Sequence, residues 1–242
     1  MEPRENNSFG CGAPSSHLLA AVGREGPENG APKAARRDAR LHQTASPLRE
    51  VHAVNEYCID VLVRAARSSC PGTLPLVVQL RDVLVEMTPA IRERAARRSF
   101  LLTDMEFGNA GWWSRVVSYP LNSVGAPRCR GSLARPYAVQ LARATLTLAW
   151  HSVRADRRAA GVLLGMSEMV ADVLASLSLP EIEQLVGRQF RHVHPRWEDR
   201  PGIWLQLLQA SRTADIRCAR DFNLRGLKLI TGALANPADS SF

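Results

Sequence analysis

The sequence predicts an all-α protein, in which a helical N-terminal region precedes a second helical domain that forms dimers. Two observations carry this prediction. Apolar residues recur at the three- and four-residue spacing of helices along most of the chain after residue 49. Proline, serine, threonine and glycine stand where such segments begin and end, at the positions that helix termini favour.

Composition indicates a packed core and a basic surface. Hydrophobic residues make up 45% of the 242 residues and charged residues 22%, as in ordinary globular proteins. The 31 basic and 23 acidic residues give a net charge of +8, which favours polyanionic partners such as nucleic acid. All but two of the basic residues are arginine, a bias that a GC-rich genome also produces.

Cysteine and histidine usage argues against a disulfide framework and against metal chemistry. The five cysteines are far apart and form no CxxC pair, which suits a reducing cytoplasm. His192 and His194 supply only two of the four ligands that a closed zinc site needs. Asp104 and Glu106 have no nucleophile or histidine motif around them, and the chain has no phosphate-binding loop. We therefore expect a cytoplasmic protein that is not an enzyme and binds no cofactor or metal.

The first half of the chain divides into three predicted parts. Residues 1–48 are rich in small and polar residues and are predicted to form a disordered tail. Residues 49–117 are predicted to form a helical domain of unknown role, with helices over 50–66 and 74–87 and a third that Thr88 caps and Pro89 opens. Trp112 and Trp113 are expected to be core or interface anchors. Residues 118–135 contain proline and glycine and are predicted to be a linker.

The second helical domain is predicted to span residues 136–235. Its first helix, over 137–154, is apolar around most of its circumference, so we expect several neighbours to cover it. A short domain rarely provides them alone, and dimerisation through this helix is therefore expected. The predicted dimer interface consists of Leu141, Leu146, Leu148 and Trp150.

Shorter helices are predicted next. One covers 157–164 and ends at Gly165, one follows the capping residue Ser167, and one begins at the capping box of Ser178 and Glu181. Residues 159–174 have the spacing of a helix-turn-helix, but the second helix offers acidic side chains and no base-reading arginine or amide, which favours a packing hairpin. Residues 190–194 are predicted to be extended, and helices are predicted over 201–209 and 212–234.

The last predicted helix has two distinct faces on a helical wheel. Apolar side chains occupy one side, and basic side chains occupy the other with a single leucine, Leu224, among them. The basic residues predicted to meet a phosphate backbone are Arg212, Arg217, Arg220, Arg225 and Lys228.

Residues 137–234 resemble a family of bacterial regulators in order, spacing and residue type. The most specific similarity runs from Leu164-Gly165-Met166-Ser167-Glu168 through Leu177-Ser178-Leu179-Pro180 to Phe190-Arg191, and Gln209-Ala210-Ser211-Arg212 is similar to the segment that opens the family's last helix. On these motifs the segment resembles FlhD, the flagellar master transcriptional regulator subunit. Residues 1–135 have no counterpart in that family.

The resemblance implies an all-helical homodimer that joins a zinc-containing FlhC-like partner to activate flagellar promoters. It also implies DNA contacts near the last helix, where Ser211 and Arg212 match the family. We therefore expect a DNA-associated co-activator of flagellar or related genes. The alternative is a protein–protein adaptor or anti-activator that never touches DNA.

Overall fold

Helices dominate the computed structural model, which describes residues 47–68, 74–118, 133–213 and 215–235. The predicted tail over 1–48, apart from its last two residues, and most of the predicted linker over 118–135 lie outside the described residues. Among the described residues 78% are helical and 2% are in strands, so the fold is all-α, as predicted.

Eleven α-helices and one short strand pair make up the described part of the chain. The helices are α1 (Pro47–Arg67), α2 (Pro75–Gln79), α3 (Arg81–Val85), α4 (Pro89–Ala96), α5 (Ala110–Ser118), α6 (Arg135–Ala155), α7 (Arg157–Leu164), α8 (Glu168–Ser176), α9 (Leu179–Gln189), α10 (Pro201–Arg212) and α11 (Ile216–Ala235). Strands β1 (Thr103–Asp104) and β2 (His194–Pro195) pair antiparallel, and a 3-10 turn covers Phe190–His192.

Helix α1 is held to the chain that follows α4 by one buried amide side chain. The Nδ2 atom of Asn55 donates to the carbonyls of Ala96 and Phe100, at 3.2 and 2.9 Å, and its Oδ1 accepts from the amide of Leu102 at 2.7 Å. A buried amide group needs such partners.

The predicted helix over 74–87 is wrong in one respect, because it is broken at Leu80 into α2 and α3.

Helix α6 lies at the centre of the fold, where α1, α7, α8, α9 and the 3-10 turn all pack on it. These neighbours bury Leu141, Leu146 and Leu148 completely or nearly so, and Trp150 is half-buried with its Nε1 donating to the carbonyl of Leu177 at 2.8 Å. The same chain thus covers three of the four residues predicted to form the dimer interface. The expectation that α6 must dimerise to be buried is wrong, because α1 from the N-terminal region supplies the missing cover.

Helices α7 and α8 begin and end at capping residues, of which Gly165 and Ser167 were predicted. Asp156, which the sequence did not single out, accepts from the amides of Arg158 and Ala159, both at 3.0 Å, and so starts α7. Gly165 ends α7 with a φ of +62°, a left-handed conformation that glycine adopts without strain. The hydroxyl of Ser167 accepts from Val170 at 3.4 Å, which starts α8.

Two predicted boundaries are wrong. Residues 190–194 are not one extended piece, because a 3-10 turn occupies the first three and only His194 enters β2. The helix predicted over 201–209 continues to Arg212, and the last helix starts at Ile216 instead of Arg212. The segment Gln209–Arg212, which was expected to lead into the last helix, therefore closes α10.

The two predicted helical domains share one core. The described residues, from Pro47 to Ala235, belong to a single compact unit. The β1–β2 pair joins residues 103 and 195, and the amide of Leu101 donates to the carbonyl of Leu163 at 2.8 Å. Backbone hydrogen bonds across the predicted boundary tie the halves together, so residues 49–117 and 136–235 are not separate domains.

Candidate nucleic-acid interface

Helix α11 lies on the surface and is anchored by a narrow buried stripe. Only Phe222, Gly226 and Ile230 of its 20 residues are buried. A Cβ atom on Gly226 would lie 2.2 Å from Cζ of Phe100, so glycine permits a close approach that no other residue allows. Leu227 and Leu234 are partly buried against the core, and most of the other residues of α11 are exposed.

The outward side of α11 carries four exposed basic residues, Arg217, Arg220, Arg225 and Lys228, which we call the α11 basic face. Within the described part of the chain, none of the four forms an ion pair, although Arg225 donates to Oε1 of Gln206 at 2.8 Å. Leu224 lies among them and is 51% exposed. Unpaired cations on one side of a helix about 30 Å long suit a polyanion.

Two residues predicted to contact DNA do not belong to this face. Ser211 is buried: its hydroxyl donates to the carbonyl of Leu207 at 2.7 Å and its carbonyl accepts from Nε of Arg94 at 2.8 Å. Arg212 ends α10 and lies 2.5 Å from the carboxylate of Glu86. The wheel counted Arg212 with α11, which is wrong because the chain leaves helical geometry between the two helices.

A buried arginine that the sequence analysis missed fixes α11 to α4 and α10. The guanidinium of Arg98 donates to the carbonyls of Ala95, Arg94 and Ala219, at 3.1, 2.7 and 3.4 Å, and to the hydroxyl of Ser211 at 3.3 Å. It also lies 5.7 Å above the ring of Phe222. Burial lowers the pKa of Arg98 to about 10. The helical pattern around Arg98 resembles that of any exposed arginine, so no sequence signal distinguished it.

Arg196 is a second missed arginine, and it ties β1 to α7. Its guanidinium donates to the carbonyls of Leu101, Thr103 and Leu164, at 3.2, 3.4 and 2.7 Å, and lies 3.5 Å from the carboxylate of Asp104. The carbonyl of Arg196 accepts from Nε1 of Trp204 at 2.7 Å. These bonds satisfy buried carbonyls that would otherwise lack donors.

A groove of about 470 Å³ opens beside Arg196, between the loop after β1 and the last turns of α11. Asp104, Glu106 and Glu168 give it carboxylates, and Ile230 and Leu234 give it an apolar wall. Oδ1 of Asp104 accepts from the amides of Met105 and Phe107 at 2.9 and 3.2 Å, which holds this carboxylate against the loop after β1. The groove is acidic, the opposite of the α11 basic face.

The helix-turn-helix spacing is realised geometrically, since α7 and α8 meet at a bend of 118°. That angle lies within the range of DNA-binding motifs. The exposed side chains of α8 are Glu168, Met169, Asp172 and Ser176, and Asp172 forms an ion pair with Arg157. Two carboxylates on the outer face repel phosphate, so the geometry supports the packing interpretation of this motif.

His192 is buried against the ring of Trp112, with 4.8 Å between centroids. Burial, and to a lesser extent the charge of His194, lowers the pKa of His192 to about 4. Within the described residues, no group of three or more His, Cys, Asp or Glu lies together as a metal site.

Trp113 is buried and stacks on Phe107, which confirms the core role expected of the tryptophan pair.

No single helix of the described segments has the length and apolarity to span a bilayer, and only α7 and α8 taken together meet that criterion. Searches of family models, curated proteins and solved structures find no match to this chain.

Proposed function

We propose that the protein is a cytoplasmic, non-enzymatic, nucleic-acid-associated transcriptional co-regulator of the FlhD type that contacts phosphates through the α11 basic face. The observation that carries the proposal is the exposure of four basic side chains on one side of α11, where the exposed Asp221 is the single acidic residue among them. None of the four forms an ion pair among the described residues. The net charge of +8 adds long-range attraction to the same kind of ligand.

The geometry favours contacts with the backbone over base readout. The α11 basic face offers arginine and lysine, which bind phosphate well, whereas the outer face of α8 offers carboxylates. Sequence selectivity would then come from a partner protein, as the resemblance to FlhD implies. The proposal includes dimerisation and a FlhC-like partner. Leu141, Leu146 and Leu148, which were predicted to form the dimer interface, are covered by the chain itself.

The test is a salt titration of binding to duplex DNA promoter fragments, with and without a FlhC-like protein from the same organism. Replacing Arg217, Arg220 and Lys228 by Ala should lower affinity and flatten the slope of log K against log salt by up to about 2.7, since each lost phosphate contact contributes about 0.9.

The matched control replaces Arg115, Arg143 and Arg158, three exposed arginines elsewhere on the molecule, and removes the same net charge. An equal loss in both triple variants would mean that net charge alone attracts the DNA, and the α11 basic face would then have no special role. No measurable binding by the parent protein, with or without the partner, would overturn the proposal.

The second candidate is a protein–protein adaptor or anti-activator, and the acidic groove favours it. Met169 lines this groove and is 61% exposed, so an apolar anchor stands beside the carboxylate of Glu168. Such a surface suits a basic partner protein. If the protein is an adaptor, the double substitution Met169→Ala and Glu168→Gln should weaken partner binding. It should leave DNA binding unchanged under either candidate function.

A further inference from the structure

A junction between α4 and α11 brings cations of the N-terminal region to the α11 basic face. Arg98, at the end of α4, donates to the carbonyl of Ala219 at 3.4 Å and covers the ring of Phe222. The neighbouring Arg94 donates to the carbonyl of Ser211 at 2.8 Å. The C-terminal end of α4 therefore packs against the point where α10 gives way to α11.

Exposed arginines flank this junction on both helices. Arg97 precedes Arg98 and its side chain is 64% exposed, while Arg220 follows Ala219 and is also exposed. Consecutive Cα atoms are about 3.8 Å apart, so the backbones of Arg97 and Arg220 both lie close to the contact between Arg98 and Ala219.

The electrostatic environment on the α4 side is independently positive. His52 lies on α1 beside this region, and its pKa is lowered by burial first and by the charge of Arg97 next. A hydrogen bond with the backbone of Arg98 raises the pKa of His52, and the charge of Arg98 lowers it to a smaller extent. Glu93 is the nearby counter-charge, 2.5 Å from Arg97 on the exposed side of α4.

We propose that the phosphate-binding surface continues from the α11 basic face across the α4–α11 junction to Arg97, so that the N-terminal helical region contacts the backbone of the same nucleic-acid duplex. This inference rests on the proposed function and deepens it. It assigns a binding role to a region that has no counterpart in the resembling family. Glu93 competes with phosphate for Arg97 and limits the affinity of this end of the surface.

The test uses paired substitutions of two exposed Arg–Glu ion pairs in the full chain. Arg97 and Glu93 form one pair, and Arg143 and Glu183 form a matched pair on α6 and α9, with N–O distances of 2.5 and 3.0 Å. Binding of a duplex of about 30 base pairs is followed by fluorescence anisotropy over a salt series, for R97A, E93Q, R143A and E183Q.

R97A should reduce the salt slope by about 0.9, and R143A should reduce it much less. E93Q should raise affinity several-fold at low salt by releasing Arg97. E183Q should raise it less, because the freed Arg143 lies on α6 and is not part of the proposed phosphate-binding surface. A merely structural role for the ion pair would not produce a gain in E93Q. All four positions are exposed, so the variants should fold.

Equal effects of the two pairs would overturn the inference. If the triple variant of α11 still loses binding in that case, the proposed function stands with a footprint confined to α11. If the triple variant is also indistinguishable from its control, both the inference and the proposed function fail.

Discussion

Replacing Gly226 with Ala tests how α11 is anchored. The added Cβ would lie 2.2 and 2.3 Å from Cζ and Cε1 of Phe100, more than 1 Å inside an ordinary contact of roughly 3.5 Å. Phe100 has no room to give, because it is fully buried and packs edge-on against Trp197 and beside Phe222. Overpacking of this kind costs about 1–3 kcal/mol, and the helix propensity of alanine returns about 1 kcal/mol.

We expect Gly226→Ala to lower the free energy of unfolding by about 2 kcal/mol, taking the upper end of that range for so short a contact. The melting temperature should fall by about 4–8 °C, measured by circular dichroism and checked by urea titration. Gly232, also on α11, is the matched control because a Cβ there meets nothing within 4 Å.

Gly232→Ala should raise the free energy of unfolding by up to about 1 kcal/mol from helix propensity alone. If Gly226→Ala is as stable as Gly232→Ala, then α11 does not pack on Phe100 as described, and the placement of the basic face loses its basis.

Two further predictions concern buried cationic and titratable groups. Arg196→Met should lower the free energy of unfolding by about 3–5 kcal/mol, because the carbonyls of Leu101 and Leu164 and the carboxylate of Asp104 lose their donor. Arg158→Met, at an exposed position, is the control. A decrease under about 1 kcal/mol for Arg196→Met in denaturant titrations would contradict the prediction. His192 has its folded-state pKa lowered to about 4 from an unfolded value near 6.5, so the unfolded state binds the proton first and stability falls as pH drops from 6.5 to 4. The loss should be on the order of 2 kcal/mol and should disappear in His192→Phe but not in the exposed His151→Phe; an equal pH dependence in all three proteins would refute it.

Local signals in the sequence predicted local structure well. Thr88 accepts from the amide of Ile91, and the amide of Ser178 donates to Glu181, as their spacings predict. A cap and its partner are three residues apart, so the sequence contains both members of the interaction. The same holds for Gly165, whose left-handed φ ends α7.

Interactions between distant residues escaped the sequence analysis. The apolar circumference of α6 was interpreted as a dimer interface, because nothing in its own segment identifies α1 as the cover. Nothing in the sequence singled out Arg98, yet it is only 2% exposed and bonds to residues more than 110 positions away. The wheel placed Arg212 on the last helix because its periodicity carries through Thr213, which interrupts the helix without breaking the pattern.

The packing of α1 on α6 and the β1–β2 pair have a consequence for how this chain can change over evolutionary time. The segment that resembles FlhD begins near residue 137, yet the surface of α6 that an independent module would present to solvent or to a second copy is occupied here by α1. Deleting or exchanging the first half by recombination would uncover that surface of α6 and leave β2 without its strand partner. Because both halves contribute to one core, we expect substitutions in one to restrict those that the other tolerates.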